Sequence, residues 1–243
     1  MLQPFPCPHS LVQVYWLEQT ASRVAPGDEW LSAGERGTLA SMRFAKRRAD
    51  WRLGRWTAKC AIAAHLRRPF TSGNFAAFEV RPALSGAPRA YVEGRAAGLT
   101  ISLSHSHGVA VCALAEDEVA LGCDIEKVEP RSRAFFADYF TAEEAAVVQS
   151  APEDFRETLV TVFWSAKESV LKATEMGLRS DPLSLVATPE PAEESVWGWR
   201  PITVAQVGGL EFRGWWRVRE GMVSTLVATP APGVPEDLRI DPA

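Results

Sequence analysis

The strand-like segment at residues 119–127 constrains the fold of this chain more than any other. An apolar run leads there into two acids, Asp124 and Glu126, that are separated by a single residue. Because successive side chains of a strand alternate between its faces, both carboxylates point to one side. Like charges on one face repel, and a core does not accept them unpaired. Two interpretations follow: an exposed edge strand with solvated acids, or a site for a hard divalent cation such as Mg2+.

Composition limits the class of protein. The chain has 243 residues, 47% hydrophobic and 23% charged, which is ordinary for a soluble globular protein. The net charge of −4 argues against a protein that coats nucleic acid. The 4 cysteines show no C-x-x-C spacing, so neither a zinc ribbon nor a redox motif is indicated. Without a secretion signal or a membrane-spanning run, we expect a cytoplasmic protein with reduced thiols.

The first part of the chain predicts a strand and two helices. Alternation over residues 11–17 indicates the strand, and residues 29–40 indicate a helix in which Ser32 caps ahead of Glu35. A basic stretch then predicts a helix that runs through residue 66. Its cations share one face at intervals of four, three and four residues: Arg48, Arg52, Arg55 and Lys59. Such a face either binds an anion or is solvated and paired with acids from elsewhere.

A hairpin is predicted over residues 99–114. Polar and apolar residues alternate along its first strand, and an apolar run forms its second strand. Its tip carries Ser104 and His105, where a histidine flanked by hydroxyls can donate to a phosphate. A lone histidine also serves as an ordinary hydrogen-bonding residue, so both interpretations stay open here.

The second part of the chain predicts a capping box at Thr141 and Glu144, and a long helix over residues 154–176 that Gly177 ends. In that helix Glu168 and Lys172 are four residues apart. They form either a surface pair or the remainder of a site in which Glu168 joins Asp124 and Glu126.

Further strands are predicted at residues 183–187, 197–204, 210–218 and 222–227. The Pro-rich segment 229–243 has no periodicity, which predicts a mobile tail. The sequence shows no convincing internal repeat.

Four blocks resemble the 4′-phosphopantetheinyl transferases of the surfactin-synthetase-activating type. They lie within residues 43–178 and comprise Arg52-Leu-Gly-Arg55 with Lys59, Ser104-His-Ser106, the G-C-D-I-E-K run from Gly122, and the F-W-S-A-K-E-S-V-L-K run from Phe163. The resemblance implies an α/β (α+β) fold: a pseudo-dimer of two similar subdomains, each a small antiparallel sheet packed by a long helix, with the active site in the cleft between them. The expected boundaries are 1–116, 117–228 and the tail 229–243.

The resemblance also implies the reaction. The 4′-phosphopantetheine arm of coenzyme A moves to a serine of an apo acyl or peptidyl carrier protein, and adenosine 3′,5′-bisphosphate is released. Such carriers serve fatty-acid, polyketide or nonribosomal-peptide synthesis and offer an acidic helix beside the serine. A monomer that binds neither nucleic acid nor membrane is expected.

Site residues follow from the resemblance by motif. Asp124, Glu126 and Glu168 are expected to hold Mg2+, with Mn2+ as the alternative metal. Lys172, assisted by Lys167, is expected to contact the pyrophosphate. Glu168 is a candidate general base, directly or through a metal-bound water.

The coenzyme A contacts are expected mainly in the first subdomain. His105 with Ser104 would bind the 3′-phosphate or nearby oxygens, and Arg52 would support the nucleotide phosphates. The chain carries Gly86-Ala87-Pro88 where members of the family often have Gly-Lys-Pro, so Arg89 is expected to supply the missing cation. A catalytically silent module that binds coenzyme A or a carrier protein is the alternative function. A metal-dependent nuclease is a third alternative, which the pI of about 5.7 disfavours.

Overall fold

Two largely antiparallel sheets, each packed by one long helix, organise the chain. In this computed structural model the described residues are 11–69, 74–176, 181–191, 198–206 and 208–239. The predicted helix end at Gly177 and the first residue of the predicted strand 197–204 lie outside these ranges, as do residues 240–243 of the predicted tail.

The first half of the fold contains two helices and five strands. They are β1 (Tyr15–Thr20), α1 (Ala33–Ser41), α2 (Ala45–His65), β2 (Phe78–Pro82), β3 (Pro88–Val92), β4 (Arg95–Ser106) and β5 (Val109–Glu116). The second half contains three helices and five strands: β6 (Ala120–Lys127), α3 (Arg133–Tyr139), α4 (Ala142–Ser150), α5 (Glu153–Ala173), β7 (Leu185–Pro189), β8 (Arg200–Gln206), β9 (Glu211–Arg219) and β10 (Met222–Thr229). A short last strand, β11 (Glu236–Asp237), follows.

The two sheets have the same topology. Their strand orders are β11-β1-β5-β4-β3-β2 and β6-β10-β9-β8-β7. In each, the first strand of the half pairs with the last, and the others follow in descending order. Two hydrophobic clusters lie under the long helices, and a third, which includes Trp16, Cys123 and Trp199, joins the sheets. The predicted fold of two similar α/β halves is therefore confirmed.

A buried ion pair recurs at the same place in each half. Lys59 Nζ lies 2.6 Å from Glu35 Oε2, and Lys167 Nζ lies 2.7 Å from Glu144 Oε2. Each glutamate closes a capping box, one with Ser32 and the other with Thr141.

The partners of these pairs also correspond. Each lysine also donates to a backbone carbonyl two residues before the N-cap of the short helix. Lys59 donates to Trp30 O at 2.9 Å, and Lys167 donates to Tyr139 O at 2.7 Å. Each glutamate accepts a hydrogen bond from a backbone N–H in the outer strand of its own sheet. Val80 N donates to Glu35 at 3.2 Å, and Ala187 N donates to Glu144 at 2.9 Å. The pair therefore ties the short helix, the long helix and the sheet edge together in both halves.

This correspondence extends to a short sequence match between the halves, which the sequence analysis did not identify. The run Trp56-Thr-Ala-Lys59 matches Trp164-Ser-Ala-Lys167, and each is preceded by a capping box. The sequence match is short because the contacts that the two halves share involve only the buried lysine, the N-cap residue and the glutamate. At the position after the lysine, the first half has Cys60 where the second has Glu168, so the acidic chemistry occurs in one half.

The segment after β10 corrects the expected mobile tail, as far as residue 239. Val12 N donates to Ala231 O at 3.0 Å, and Leu238 N donates to Trp16 O at 2.8 Å. β11 pairs in parallel with β1, so residues that follow the second sheet extend the first. Pairing at a sheet edge needs backbone groups rather than side-chain periodicity, and this explains why the sequence pattern missed it. We name residues 230–239 the C-terminal strap.

Element ends differ from the predictions by a few residues. The first strand begins at Tyr15, and α1 begins after its Ser32 cap. α5 ends at Ala173 with Thr174 as its cap, several residues before the predicted Gly177. Among the described residues, no helix is long and apolar enough to cross a membrane.

Candidate active site

The acidic strand β6 lies in close contact with α5. A Cβ at Gly122 would fall 1.8 Å from the carbonyl oxygen of Ser169 and 2.7 Å from the nitrogen of Ala173. Such distances are shorter than any real contact, so this position requires glycine. The absence of a side chain lets β6 carry its carboxylates up to the helix residues Glu168 and Lys172.

Asp124 is the centre of the candidate site. It is 3% exposed, and its Oδ1 accepts hydrogen bonds from Ser104 Oγ and from Lys172 Nζ, both at 2.7 Å. Ser104 belongs to β4 of the first half and Lys172 to α5 of the second, so the site is built from both halves. Within the described residues, Asp124 Oδ2 is buried and has no hydrogen-bond partner. A buried carboxylate oxygen without a partner is costly unless a ligand completes its coordination.

Lys172 is held by the same strand. Its ammonium donates to the Cys123 carbonyl at 3.1 Å as well as to Asp124. Burial by itself would lower the pKa of Lys172, but the charge and hydrogen bond of Asp124, together with Cys123 and Glu168, outweigh it, and the pKa is raised. Lys172 therefore stays a cation at the site.

Glu126 and Glu168 both feel the charge of Asp124. Burial, and next the repulsion from Asp124, raise the pKa of Glu126, while Arg131 and a hydrogen bond from Trp164 lower it. Burial and then Asp124 also raise the pKa of Glu168, against the opposing effect of Lys172. The sequence motifs therefore bring these carboxylates into one electrostatic neighbourhood.

The candidate site contains the kinds of oxygen ligand that a divalent metal requires. Among the described residues, no group of three or more His, Cys, Asp and Glu side chains converges closely enough to form a ready metal site. Two other observations fit a hard cation: the partnerless Oδ2 of Asp124, and the raised pKa values of Glu126 and Glu168. Carboxylate oxygens are also the ligands that Mg2+ and Mn2+ prefer. The donor set fits, although its side chains would have to converge further.

Lys167 corrects one sequence expectation. Its side chain is fully buried and pairs with Glu144 on the far side of α5, under the ring of Phe140. Burial lowers the pKa of Lys167 despite the nearby carboxylate. The lysine is therefore committed to joining α4 to α5 and does not lie with Lys172 at the cleft.

Arg52 is also paired within the protein. Its guanidinium forms an ion pair with Asp28 and donates to the carbonyls of Ala25 at 3.1 Å and Gly27 at 2.6 Å. Together with the buried Lys59, it shows that much of the basic face of α2 is paired with groups from elsewhere in the chain. This agrees with the alternative in which the cations of the helix pair with groups from elsewhere in the chain. The binding of nucleotide phosphates by Arg52 stays a prediction.

His105 opens onto a separate concavity of about 630 Å3. Its lining includes the side chains of Lys46, Arg47 and Trp51 at the start of α2. These cations were part of the predicted basic stretch, but their position next to His105 was not foreseen. Little in the sequence indicated this position, because Lys46 and Arg47 do not belong to the set of cations whose spacing predicted one basic helix face.

A larger cleft of about 880 Å3 separates the halves. Its lining includes Ser85, Arg89, Lys172 and Glu175. Arg89 was expected to supply a missing cation, and the structure pairs it with Glu175 across this cleft. Glu175, and Arg131, whose guanidinium lies 3.5 Å from Glu126 Oε2, were both missed by the sequence analysis.

A two-half α/β fold with a carboxylate-centred site where the halves meet defines the class of protein. Residues 120–222, which run from β6 to the start of β10, match the family model of the 4′-phosphopantetheinyl transferase superfamily. Residues 120–222 are therefore similar to that superfamily, a placement that confirms the resemblance predicted from the motifs.

Two curated relatives agree with this placement. The chain is 31% identical to the 4′-phosphopantetheinyl transferase HetI of Nostoc sp. over 100 residues, 40% of this chain and 42% of the relative. It is 34% identical to the 4′-phosphopantetheinyl transferase psf-1 of Bacillus pumilus over 77 residues, 32% of each chain. The chain thus aligns with less than half the length of either relative.

Proposed function

We propose that this protein transfers the 4′-phosphopantetheine arm of coenzyme A to a serine of an apo carrier protein. Adenosine 3′,5′-bisphosphate is the second product, which makes the activity that of a holo-[acyl-carrier-protein] synthase. The observation that carries the proposal is Asp124: a buried carboxylate, shared between Ser104 and Lys172 of opposite halves, with one oxygen left without a partner in the described structure. The superfamily match over residues 120–222 supports the same reaction.

Asp124, Glu126 and Glu168 would hold the metal, Mg2+ in preference and Mn2+ as the alternative. When bound, the metal neutralises negative charge on the pyrophosphate as it builds up in the transition state. The role of the protein is to hold these carboxylates close together. Lys172 contributes to that by placing its positive charge beside Asp124.

Lys172 would also receive the pyrophosphate. It is fixed by Asp124 and the Cys123 carbonyl, so its remaining donor capacity points to the cleft with little freedom left to lose. His105, with Lys46 and Arg47 beside it, offers a second anion-binding surface for the 3′-phosphate.

The carrier serine must lose a proton when it attacks the phosphorus. Glu168 is the candidate for taking that proton, directly or through a water molecule that it positions. The bond formed is between the serine oxygen and phosphorus, and the bond broken is that between phosphorus and the bridging oxygen of the pyrophosphate. The leaving group retains that oxygen as a phosphate anion.

Each half of the fold is proposed to have its own binding role. Residues 1–116 would supply nucleotide contacts and residues 117–228 the metal ligands. A single chain that contains both halves needs no second copy to complete the cleft, so we propose a monomer. The carrier would present an acidic helix, as acyl and peptidyl carriers of fatty-acid, polyketide and nonribosomal-peptide synthesis do.

The decisive experiment is a transfer assay read by mass spectrometry. The protein, coenzyme A and MgCl2 are mixed with several apo carrier proteins, and each carrier is weighed before and after. Gain of one phosphopantetheine mass, abolished by EDTA and by replacing the carrier serine with alanine, is the expected result. A protein that binds coenzyme A but modifies no carrier would instead be the silent binding module.

A further inference from the structure

A contact across the cleft joins the turn before β3 to the end of α5. Ser85 Oγ donates to Glu175 Oε2 at 2.5 Å, and the Arg89 guanidinium pairs with Glu175 Oε1. Ser85 and Arg89 belong to the first half of the fold, whereas Glu175 follows the long helix of the second. Its carboxylate therefore connects the halves at the rim of the 880 Å3 cleft.

The backbone at Glu175 favours glycine, yet a charged residue occupies it. Glu175 has φ 55, in the left-handed region, and it directly follows the Thr174 cap of α5. Glycine is the usual residue there because it has no Cβ to clash in this conformation. A glutamate is strained by comparison, and the contacts of its side chain can offset that strain.

The side chain fixes a cation at the cleft. Arg89 is 41% exposed, and its guanidinium has more donors than the contact with Glu175 uses. Lys172 lies on the opposite wall of the same cleft. The hydrogen bond from Ser85 and the charge of Arg89 lower the pKa of Glu175, so its carboxylate stays ionised and holds Arg89 at neutral pH.

We propose that Glu175 is a positioning residue that holds Arg89 and the turn before β3 in place for the nucleotide end of coenzyme A. The inference rests on the proposed function. An arginine held by a carboxylate loses less side-chain entropy when an anion binds, so the pairing raises nucleotide affinity without touching the reacting atoms. Glu175 thus acts through Arg89, and its effect belongs to binding rather than to the chemical step.

The test measures the affinity of adenosine 3′,5′-bisphosphate by isothermal titration calorimetry. In Glu175→Gln and Glu175→Gly, the dissociation constant should rise about threefold to fivefold, as expected for a partly exposed ion pair. The kcat at saturating coenzyme A should stay unchanged while KM for coenzyme A rises. Glu175→Gly relieves the backbone strain, so a loss of affinity in that variant does not come from a loss of folding.

A matched control is present in the same protein. Glu93 also has a left-handed backbone, with φ 52, and pairs with Arg68 at 2.9 Å, but it does not line the cleft. Glu93→Gln should leave the affinity and KM as in the wild type. Arg89→Ala should weaken binding, and adding Glu175→Gln to it should weaken binding no further.

An unchanged dissociation constant in Glu175→Gln would overturn the inference. A smaller dissociation constant would overturn it as well, because it would mean that the carboxylate competes with the nucleotide for Arg89. If the wild-type protein modifies no carrier, the proposed transfer fails, but the nucleotide affinities still decide the role of Glu175. The two failures are therefore distinguishable.

Discussion

Lys167 Nζ lies 2.7 Å from Glu144 Oε2, and both side chains are almost completely removed from solvent. The equivalent pair in the first half, Lys59 and Glu35, is buried to the same degree. Buried charges are tolerated only when they are paired and hydrogen-bonded, and each of these glutamates also closes a helix cap. These ion pairs occupy equivalent positions in the two halves, whereas the acidic residues of the candidate site occur in the second half.

Removing Lys167 should destabilise the protein without altering nucleotide affinity. Lys167→Met leaves Glu144 buried and unpaired, which should lower the free energy of unfolding by about 3–5 kcal/mol. Urea denaturation measures the loss, and calorimetry below the unfolding transition measures nucleotide binding. The exposed Lys127→Met is the control and should change stability by less than about 0.5 kcal/mol. If Lys167→Met weakened nucleotide binding but left the stability normal, Lys167 would have to contact the bound nucleotide, and its structural role would be wrong.

Asp124→Asn should lower kcat by at least about a hundredfold. The amide keeps the size of the side chain but removes the charge that Lys172 and the metal require. Coenzyme A binding should weaken much less, because the nucleotide contacts lie elsewhere. Steady-state kinetics and calorimetry separate the two effects. The exposed Asp154→Asn is the matched control, and near-normal turnover in Asp124→Asn would contradict the assigned role.

Stabilisation by Mg2+ should depend on pH. The raised pKa values of Glu126 and Glu168 mean that the folded protein takes up protons before the unfolded chain does as pH falls. Without metal, these groups therefore make the protein relatively more stable as pH falls toward the ordinary carboxyl pKa of 4.5, and less stable as pH rises through the raised values.

Protons and Mg2+ compete for the same oxygens, so the metal should raise the Tm more at pH 7.5 than at pH 5. At a hundredfold excess over its dissociation constant, a ligand of the folded state contributes about 2.7 kcal/mol. Differential scanning calorimetry with MgCl2 or EDTA at both pH values measures the effect. Asp124→Asn should abolish most of the metal-dependent shift, and a shift that is equal at both pH values would contradict the carboxylate site.

The C-terminal strap should be needed for a stable joint between the halves. Arg217, which is 2% exposed, donates to both carboxylate oxygens of Asp237 at 3.1 Å and lies 4.2 Å from the ring of Trp199. Asp237→Ala leaves the buried guanidinium short of acceptors, so it should lower the free energy of unfolding by about 1–3 kcal/mol.

Limited proteolysis should then cut the strap of Asp237→Ala faster than that of the wild type. The exposed Glu211, which pairs with Arg213 at the surface, provides the control variant Glu211→Ala. Equal cleavage rates in Asp237→Ala and the wild type would show that backbone pairing with β1 alone holds the strap.

Much of the site was predictable because its signals are local. Strand alternation placed Asp124 and Glu126 on one face, the capping boxes marked where helices begin, and the family motifs identified Glu168 and Lys172. The strap was missed because edge pairing uses the backbone, which carries no side-chain pattern. The repeat was missed because only a few buried positions preserve it.

Lys167 and Lys172 show the boundary between sequence and tertiary structure. By itself, the sequence determined that both are cations on one helix, close to a glutamate that matches a metal-binding motif. Only packing decided that Lys167 turns under α4 to neutralise Glu144, while Lys172 reaches β6 and Asp124. The physical reason is that a charge in a folded protein goes where a partner offsets its desolvation, and these partners lie 23 and 48 residues away along the chain.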